Sequence, residues 1–250
     1  MNKSILVAAI LALPLVANAK KSIMPLSAES GAAMANKVVV VTRHEKPSFV
    51  AMTAGKAGFG LFGAAAMISA GNKIVAENEI ADPADILEHE LVPLVAKHYG
   101  FRLKDGPSPV VKPTKPKDIA KTQADGDYIL DLQSIGWQFA YYPTEWAHYW
   151  TAYSVHVQLF ERGSGKVMSD VFCNANNNKH PSPPSHDALL ADRARLLKDA
   201  EASHAWFCVQ TLGKEQFRLT AEEITPVPAA FADPLAAYAA SHPADSKSTN

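Results

Sequence analysis

The chain has 250 residues, 48% of them hydrophobic and 20% charged, with a formal net charge of −1 at pH 7. Near-neutrality excludes the basic footprint with which nucleic-acid binders neutralise phosphate. The length suits one domain with a sizeable core rather than several.

The N-terminus reads as an export signal. Lys3 precedes the apolar run Ile5–Val16, and Ala17-Asn18-Ala19 follows as a small-x-small cleavage pattern. The run is too short to span a bilayer. Cleavage is expected after Ala19, with no Cys there to carry a lipid, so the protein is expected to be periplasmic or secreted. Residues 20–37, rich in Ala, Ser and Lys, read as a flexible lead-in to one domain over 38–218; residues 219–250 read as a low-complexity tail holding one weak helix near Pro234–Ala240.

Val38–Thr42 is short and β-branched without polar alternation, the pattern of a buried strand, and FVAMT after Pro47 is a second extended piece. The strand delivers Arg43-His44-Glu45-Lys46, which resembles the Arg-His signature of histidine phosphatases. That resemblance implies His44 as nucleophile, Arg43 as phosphate holder and Glu45 beside them, hence a phosphohydrolase as the alternative function. The small residue that follows the family's His is replaced by Glu45, and the late-chain histidines, His180 and His204, fall in an Asn/Pro-rich loop and a helix.

Residues 57–72 carry no charge between Lys56 and Lys73. The segment is short of the roughly 20 residues a membrane helix needs. It is expected to fill the core, with membrane contact or self-association through Gly58–Gly71 as the alternative. Gly58–Gly63 also fits G-x-G-x-x-G, but an exported chain rarely meets nicotinamide, and no cofactor is expected. Asp82-Pro83 opens a helix, as cap and first-turn proline, with Leu87, Leu91, Leu94 and His98 on one face, a kink at Pro93 and a stop at Gly100. Within it His89-Glu90 begins an H-E-x-x-H zinc motif whose second His is replaced by Pro93, so no metal is expected. Residues 106–117 form a Pro- and Lys-rich connector.

Asp127–Ile135 reads as a strand, and Thr151–Arg162 as another, with Tyr153, Val155, Val157 and Leu159 alternating with polar residues; Gly163-Ser164-Gly165 turns the chain into a returning strand, Lys166–Cys173. Residues 135–150 contain seven aromatics in sixteen residues. Trp137, Phe139, Tyr141, Tyr142, Trp146 and Trp150 are candidate binding residues for a glycan or a protein partner, because aromatic rings stack on sugars and anchor interfaces. Ser185 caps a long helix that places Leu190, Ala194, Leu197, Cys208 and Leu212 on one face and stops near Gly213. Cys173 and Cys208 are the only cysteines, sit on facing elements of an exported chain, and are expected to form a disulfide. The order of elements predicts an α+β fold: a mixed β-sheet with two long helices packed on one face.

The stretches DYILDLQSIGW and YWTAYSVHVQLFERGSGKVMSDVFCNA are similar to periplasmic envelope domains of the curli-secretion lipoprotein, the penicillin-binding-protein activators and the Tol amino-terminal type. In those families a hairpin carries Asp-x-x-Thr-Gly-Lys/Glu-Val; the matching hairpin here, Leu159–Met168, has Glu161-Arg162 where they have Asp. The chain also resembles uncharacterised exported proteins of Gram-negative bacteria. The resemblance implies a non-enzymatic binding or scaffold role in the cell envelope.

Overall fold

Helix α1 (Ala28–Ala32) opens at Ser27, whose hydroxyl accepts from Ser30 N. Strands β1 (Val38–Arg43) and β2 (Phe49–Met52) follow, then α2 (Ala54–Ala57), α3 (Gly60–Asn78) and α4 (Ala84–Ile86). A π turn, Leu87–Leu91, runs into α5 (Val92–Tyr99), and β3 (Arg102–Leu103) and α6 (Pro116–Thr122) come next. The chain then makes β4 (Tyr128–Tyr142), β5 (Glu145–Glu161), β6 (Val167–Asn176), α7 (His186–Glu215), α8 (Ala229–Ala232) and α9 (Pro234–Ser241). This computed structural model describes residues 24–58 and 60–242; the expected signal peptide and the last eight residues lie outside them.

The sheet is mixed, in the order β3-β1-β4-β5-β6. β3, β1 and β4 are parallel neighbours; β4, β5 and β6 are antiparallel. β2 also pairs with β4 in parallel, farther along it. Arg43 lies opposite Leu132 and Phe49 opposite Trp137, so residues 44–48 (five) face residues 133–136 (four). One residue is extra: β1 and β2 are a single long strand interrupted by a bulge at His44–Ser48. β4 shifts register against β5 between Ser134 and Gly136, at the same level.

One sheet face carries the main core, in which Val39, Val41, Leu132, Phe139, Tyr153 and Val157 meet the helices. α7 supplies Leu197, Ala205, Cys208 and Leu212, and the π turn with α5 supplies Leu87, Leu91 and Val95. The fold is α+β, as expected. The opposite face is covered at one end by α6 and the connector before it, through Ile119, Ala120 and Val111 against Val40, Ile129 and Phe160. The Cys173–Cys208 disulfide joins β6 to α7, with Cα atoms 5.7 Å apart.

Several elements differ from expectation for local reasons. The stretch expected as a lead-in packs from residue 24 on: Leu26 and Met34 are fully buried, and Leu26 N donates to Gln216 O. The tail likewise holds Leu219, Ile224 and Leu235 in the interior. Few apolar residues do this work, so the Ala- and Pro-rich composition hides them. At Pro93, where a kink is expected, the helix carries the π turn Leu87–Leu91 just before it, and Pro93 falls in the first turn of α5, where proline's missing N–H is accommodated. The extra residue rotates the buried face, so Val92 and Val95 are buried while Leu94 is half-buried and His98 is exposed and bonded to Glu223. Gly100 is the left-handed cap at φ +67°. Inside α7, Asp192, Arg193 and Ala194 take φ of +49°, +57° and +55°, a left-handed turn that kinks the helix.

Candidate functional site

The end of β1 and the start of the bulge carry ion pairs of Arg43 and His44. Alternation along the strand sends Thr42 and His44 to one face and Arg43 to the other. Arg43 turns into the helix side, 8% exposed. Its Nη1 donates to Glu88 Oε2 (2.6 Å) and its Nη2 to Asp85 Oδ1 (2.8 Å), with Asp82 Oδ2 at 3.5 Å. Burial lowers the pKa of this guanidinium, but the bonds to Asp85 and Glu88 and the charge of Asp82 outweigh it, and the net shift is upward. The carboxylates are themselves held: Asp82 accepts from Ser134 Oγ and Ala84 N, and Glu88 from Ser108 Oγ. Ser134 also bonds the Tyr153 hydroxyl at 3.0 Å, and burial holds that phenol in its neutral form.

On the opposite face, His44 Nε2 lies 3.0 Å from both oxygens of Asp131, which is 1% exposed and accepts from Thr42 Oγ1 at 2.5 Å. The row continues in register through Gln158 to Asp170, where His156 makes a second His–carboxylate pair at 2.6 Å. Arg43 and His44 therefore point away from each other, and no single phosphate meets both. Glu45 is exposed, and Lys46 donates to Ile80 O and lies over the Trp137 ring. His180 is engaged with Asp233, and His204 is buried on α7 with its Nε2 2.8 Å from Thr151 Oγ1. Neither is a partner of His44.

The aromatic run divides between interior and surface. Trp137 and Phe139 are 3% and 0% exposed and pack edge-on against Phe49; the Trp137 indole donates to Pro47 O. The alternation that placed Trp137, Phe139 and Tyr141 on one face is correct, but that face is the core, so Trp137 and Phe139 offer no stacking surface. Tyr141, Tyr142 and Trp150 are half-buried, while Trp146 is 67% exposed beside the β4–β5 turn.

A second exposed feature lies at the same end of the molecule. α3 runs antiparallel to β2: Asn72 Oδ1 accepts from Phe49 N, and Ile80 O accepts from Lys46 Nζ. Its first turn therefore projects beyond Met52, the end of β2. Met52 pairs with Ala140, only two residues before the hairpin turn at Tyr142 and Glu145. The inner face of α3 is buried through Gly63, Met67, Gly71 and Val75. Gly71 is required there, since a Cβ would stand 2.0 Å from the Phe49 carbonyl oxygen. The exposed side of its first half is largely apolar, with Leu61 at 89%, Phe62 at 88% and Ile68 at 40%, and the charged pair Lys73–Glu77 follows nearer its end. Thus one side of this segment fills the core and the other meets solvent. Among the described residues no helix is long and apolar enough to cross a membrane.

Reading the sequence missed two groups. Asp82, Asp85 and Glu88, spaced by three, form the Arg43 cage; that spacing was visible, but its target was not. Glu201, 2% exposed, has neither carboxylate oxygen bonded among the described residues, and burial drives its pKa well upward. Glu201 and His204 fall between Leu197 and Cys208 at helical spacing, on the stripe read as core, which was the available signal.

No family model matches the chain, and no curated protein sequence matches it. Solved structures similar to it include a lipoprotein of Neisseria meningitidis, at 15% identity over 56% of this chain and 81% of that one, with a TM-score of 0.23. The PelC dodecamer of Paraburkholderia phytofirmans matches at 13% identity over 75% and 90% of the two chains, with a TM-score of 0.25. The LpoB C-terminal domain of Escherichia coli matches at 15% over 57% and 84%, with a TM-score of 0.19. Such identities and TM-scores are too low to carry function across.

Proposed function

We propose that the protein is an exported, non-enzymatic binding protein of the cell envelope that rests on a membrane surface through the end bearing Leu61, Phe62 and Trp146. The observation that carries this reading is the exposure of those three large side chains, 89%, 88% and 67%, at the end of the molecule where α3 begins and the β4–β5 hairpin turns. Large apolar groups left in water at one tip mark an interaction site. A lipid surface suits them better than a protein groove. Leu61 and Phe62 protrude from a run with no charge between Lys56 and Lys73, and the Trp146 indole N–H already donates to Pro143 O, so its ring enters an apolar phase without losing a bond. The Cys173–Cys208 disulfide fits an oxidising compartment. A phosphohydrolase at the bulge would need Arg43 and His44 on one side of the strand, and they occupy two.

Flotation of the mature protein with phosphatidylethanolamine/phosphatidylglycerol vesicles tests the reading. The protein should rise with lipid. Phe62→Glu, a change at an exposed site, should reduce the bound fraction at least tenfold with an unchanged melting temperature, because inserting a Phe is worth about 1.5–3 kcal/mol. Absence of flotation refutes membrane contact. A concentration-dependent dimer abolished by Phe62→Glu, without flotation, would assign the tip to a second copy instead.

A further inference from the structure

The sheet has a second face, turned away from α7. Cys173 and Ala175 lie in the main core, so Phe172, Asn174 and Asn176, which alternate with them along β6, point the other way. The same alternation sends Trp150, Ala152, Ser154 and His156 of β5 to that side, since Tyr153 and Val155 are core residues and Thr151 meets His204 of α7. On β4, Ser134 bonds Tyr153 and Trp137 is in the core. Ile135 lies between them where β4 shifts register against β5, and it turns outward, 45% exposed. Among the described residues, the buried cluster on this face is the one that Val111, Ile119 and Ala120 make with Val40, Ile129 and Phe160. The strands from the His156–Asp170 pair to Trp150 lie outside it.

The chemistry of this face suits a second copy of itself. Between the His156–Asp170 pair and Trp150, no strand residue on it is Asp, Glu, Lys or Arg. A two-fold axis sets a patch against the same patch of its partner, so a charged face would repel itself and this one does not. Gln133, Gln138, Asn174 and Asn176 each carry amide donors and an acceptor, so one such set bonds another. Ile135, Ala152, Trp150 and Phe172 supply the apolar area between the amides. The size is also sufficient. Four strands about 4.8 Å apart, β2, β4, β5 and β6, over the run from Gln133 to Ala140, make a plan of about 20 by 23 Å, so two copies laid face to face bury on the order of 1,000 Å², the size a specific interface needs. A small ligand is held in a concave site, and this is an open sheet face. We propose that the protein forms a two-fold dimer in which these faces of two copies pack together, with strands aligned and the sheets about 10 Å apart. The interface uses none of Leu61, Phe62 and Trp146, so it stands independently of the membrane-facing tip.

Sedimentation equilibrium of the mature, disulfide-bonded protein over a range of micromolar concentrations provides the test. The parent should be a dimer. Ile135→Lys and Asn174→Lys, both at exposed sites, should each raise the dissociation constant tenfold or more, because the two-fold axis sets the new charges against each other, while the far-UV spectrum stays that of the parent. Phe62→Glu should leave the dimer intact, so that loss of flotation and loss of the dimer separate the two proposals. A photoreactive amino acid in place of Ile135 gives a second reading, in cells: it should crosslink one copy to another. A monomeric parent, a dimer that survives both Lys variants, or a dimer lost in Phe62→Glu would each overturn the proposal. Crosslinking at position 135 to a different protein or to a glycan, with none between copies, would also overturn it and would give the face to that occupant.

Discussion

His204 is a buried base whose cost can be worked out. It is 6% exposed, with its Nε2 on Thr151 Oγ1, and burial depresses its pKa from 6.5 to about 4 against a smaller opposing contribution from the Thr151 backbone. A base depressed in the folded state contributes stability that is complete above its unfolded pKa and is lost as pH falls through that value toward the folded one. The window is therefore pH 6.5 down to about 4. Integrating the linkage between pH 7.5 and 4.5 gives a loss of about 2.5 kcal/mol from this residue alone. His204→Gln removes the titration and keeps a donor and an acceptor for Thr151. Urea unfolding of parent and variant at both pH values isolates the term, because every other titrating group cancels in the difference of differences. The parent should lose about 2.5 kcal/mol more than the variant between the two pH values. Equal losses, or a larger loss in the variant, would show that His204 is not held neutral by burial.

Glu201, three residues earlier on α7, should have the opposite slope. Its pKa is raised by burial, so its contribution is complete below the ordinary glutamate range and lost as pH rises above it. Glu201→Met should stabilise the protein at pH 7.5 by about 1–3 kcal/mol, the cost of an unsatisfied buried polar group, and by less at pH 4, as read from urea midpoints; a less stable variant at pH 7.5 would contradict the unpaired carboxylate. Gly71→Ala should destabilise by about 3 kcal/mol or more, since its Cβ meets the backbone carbonyl of Phe49, which cannot rotate away. Gly58→Ala, whose Cβ meets nothing within 4 Å, should melt within a degree or two of the parent by calorimetry.

The sequence by itself determined what depends on neighbours in the chain. The Val155–Leu159 alternation and the Gly163-Ser164-Gly165 turn specify the β5–β6 hairpin, because a strand's period and a turn's backbone are local properties. Ser185 and Gly100 mark helix ends for the same reason: a cap bonds within three or four residues of itself, and the side chain of Ser185 does accept from Ala188 N. The pairing of Cys173 with Cys208 followed from there being two cysteines on facing elements.

Tertiary structure decided which face is inside and what each charge meets. Period-two alternation put Trp137 and Phe139 together but could not say that helices cover that side, since covering segments come from residues 60–99 and 186–215. Arg43 and His44 are adjacent in the chain, and only the pleat and the arrival of Asp82, Asp85 and Glu88 on one face and Asp131 on the other separate their roles. The bulge at His44–Ser48 exists because β1 and β2 both pair with a strand some ninety residues away, a register that no local pattern encodes. Leu61 and Phe62 are apolar in the sequence in the same way as Met67, and the direction α3 takes along β2 alone leaves them in water while Met67 is buried.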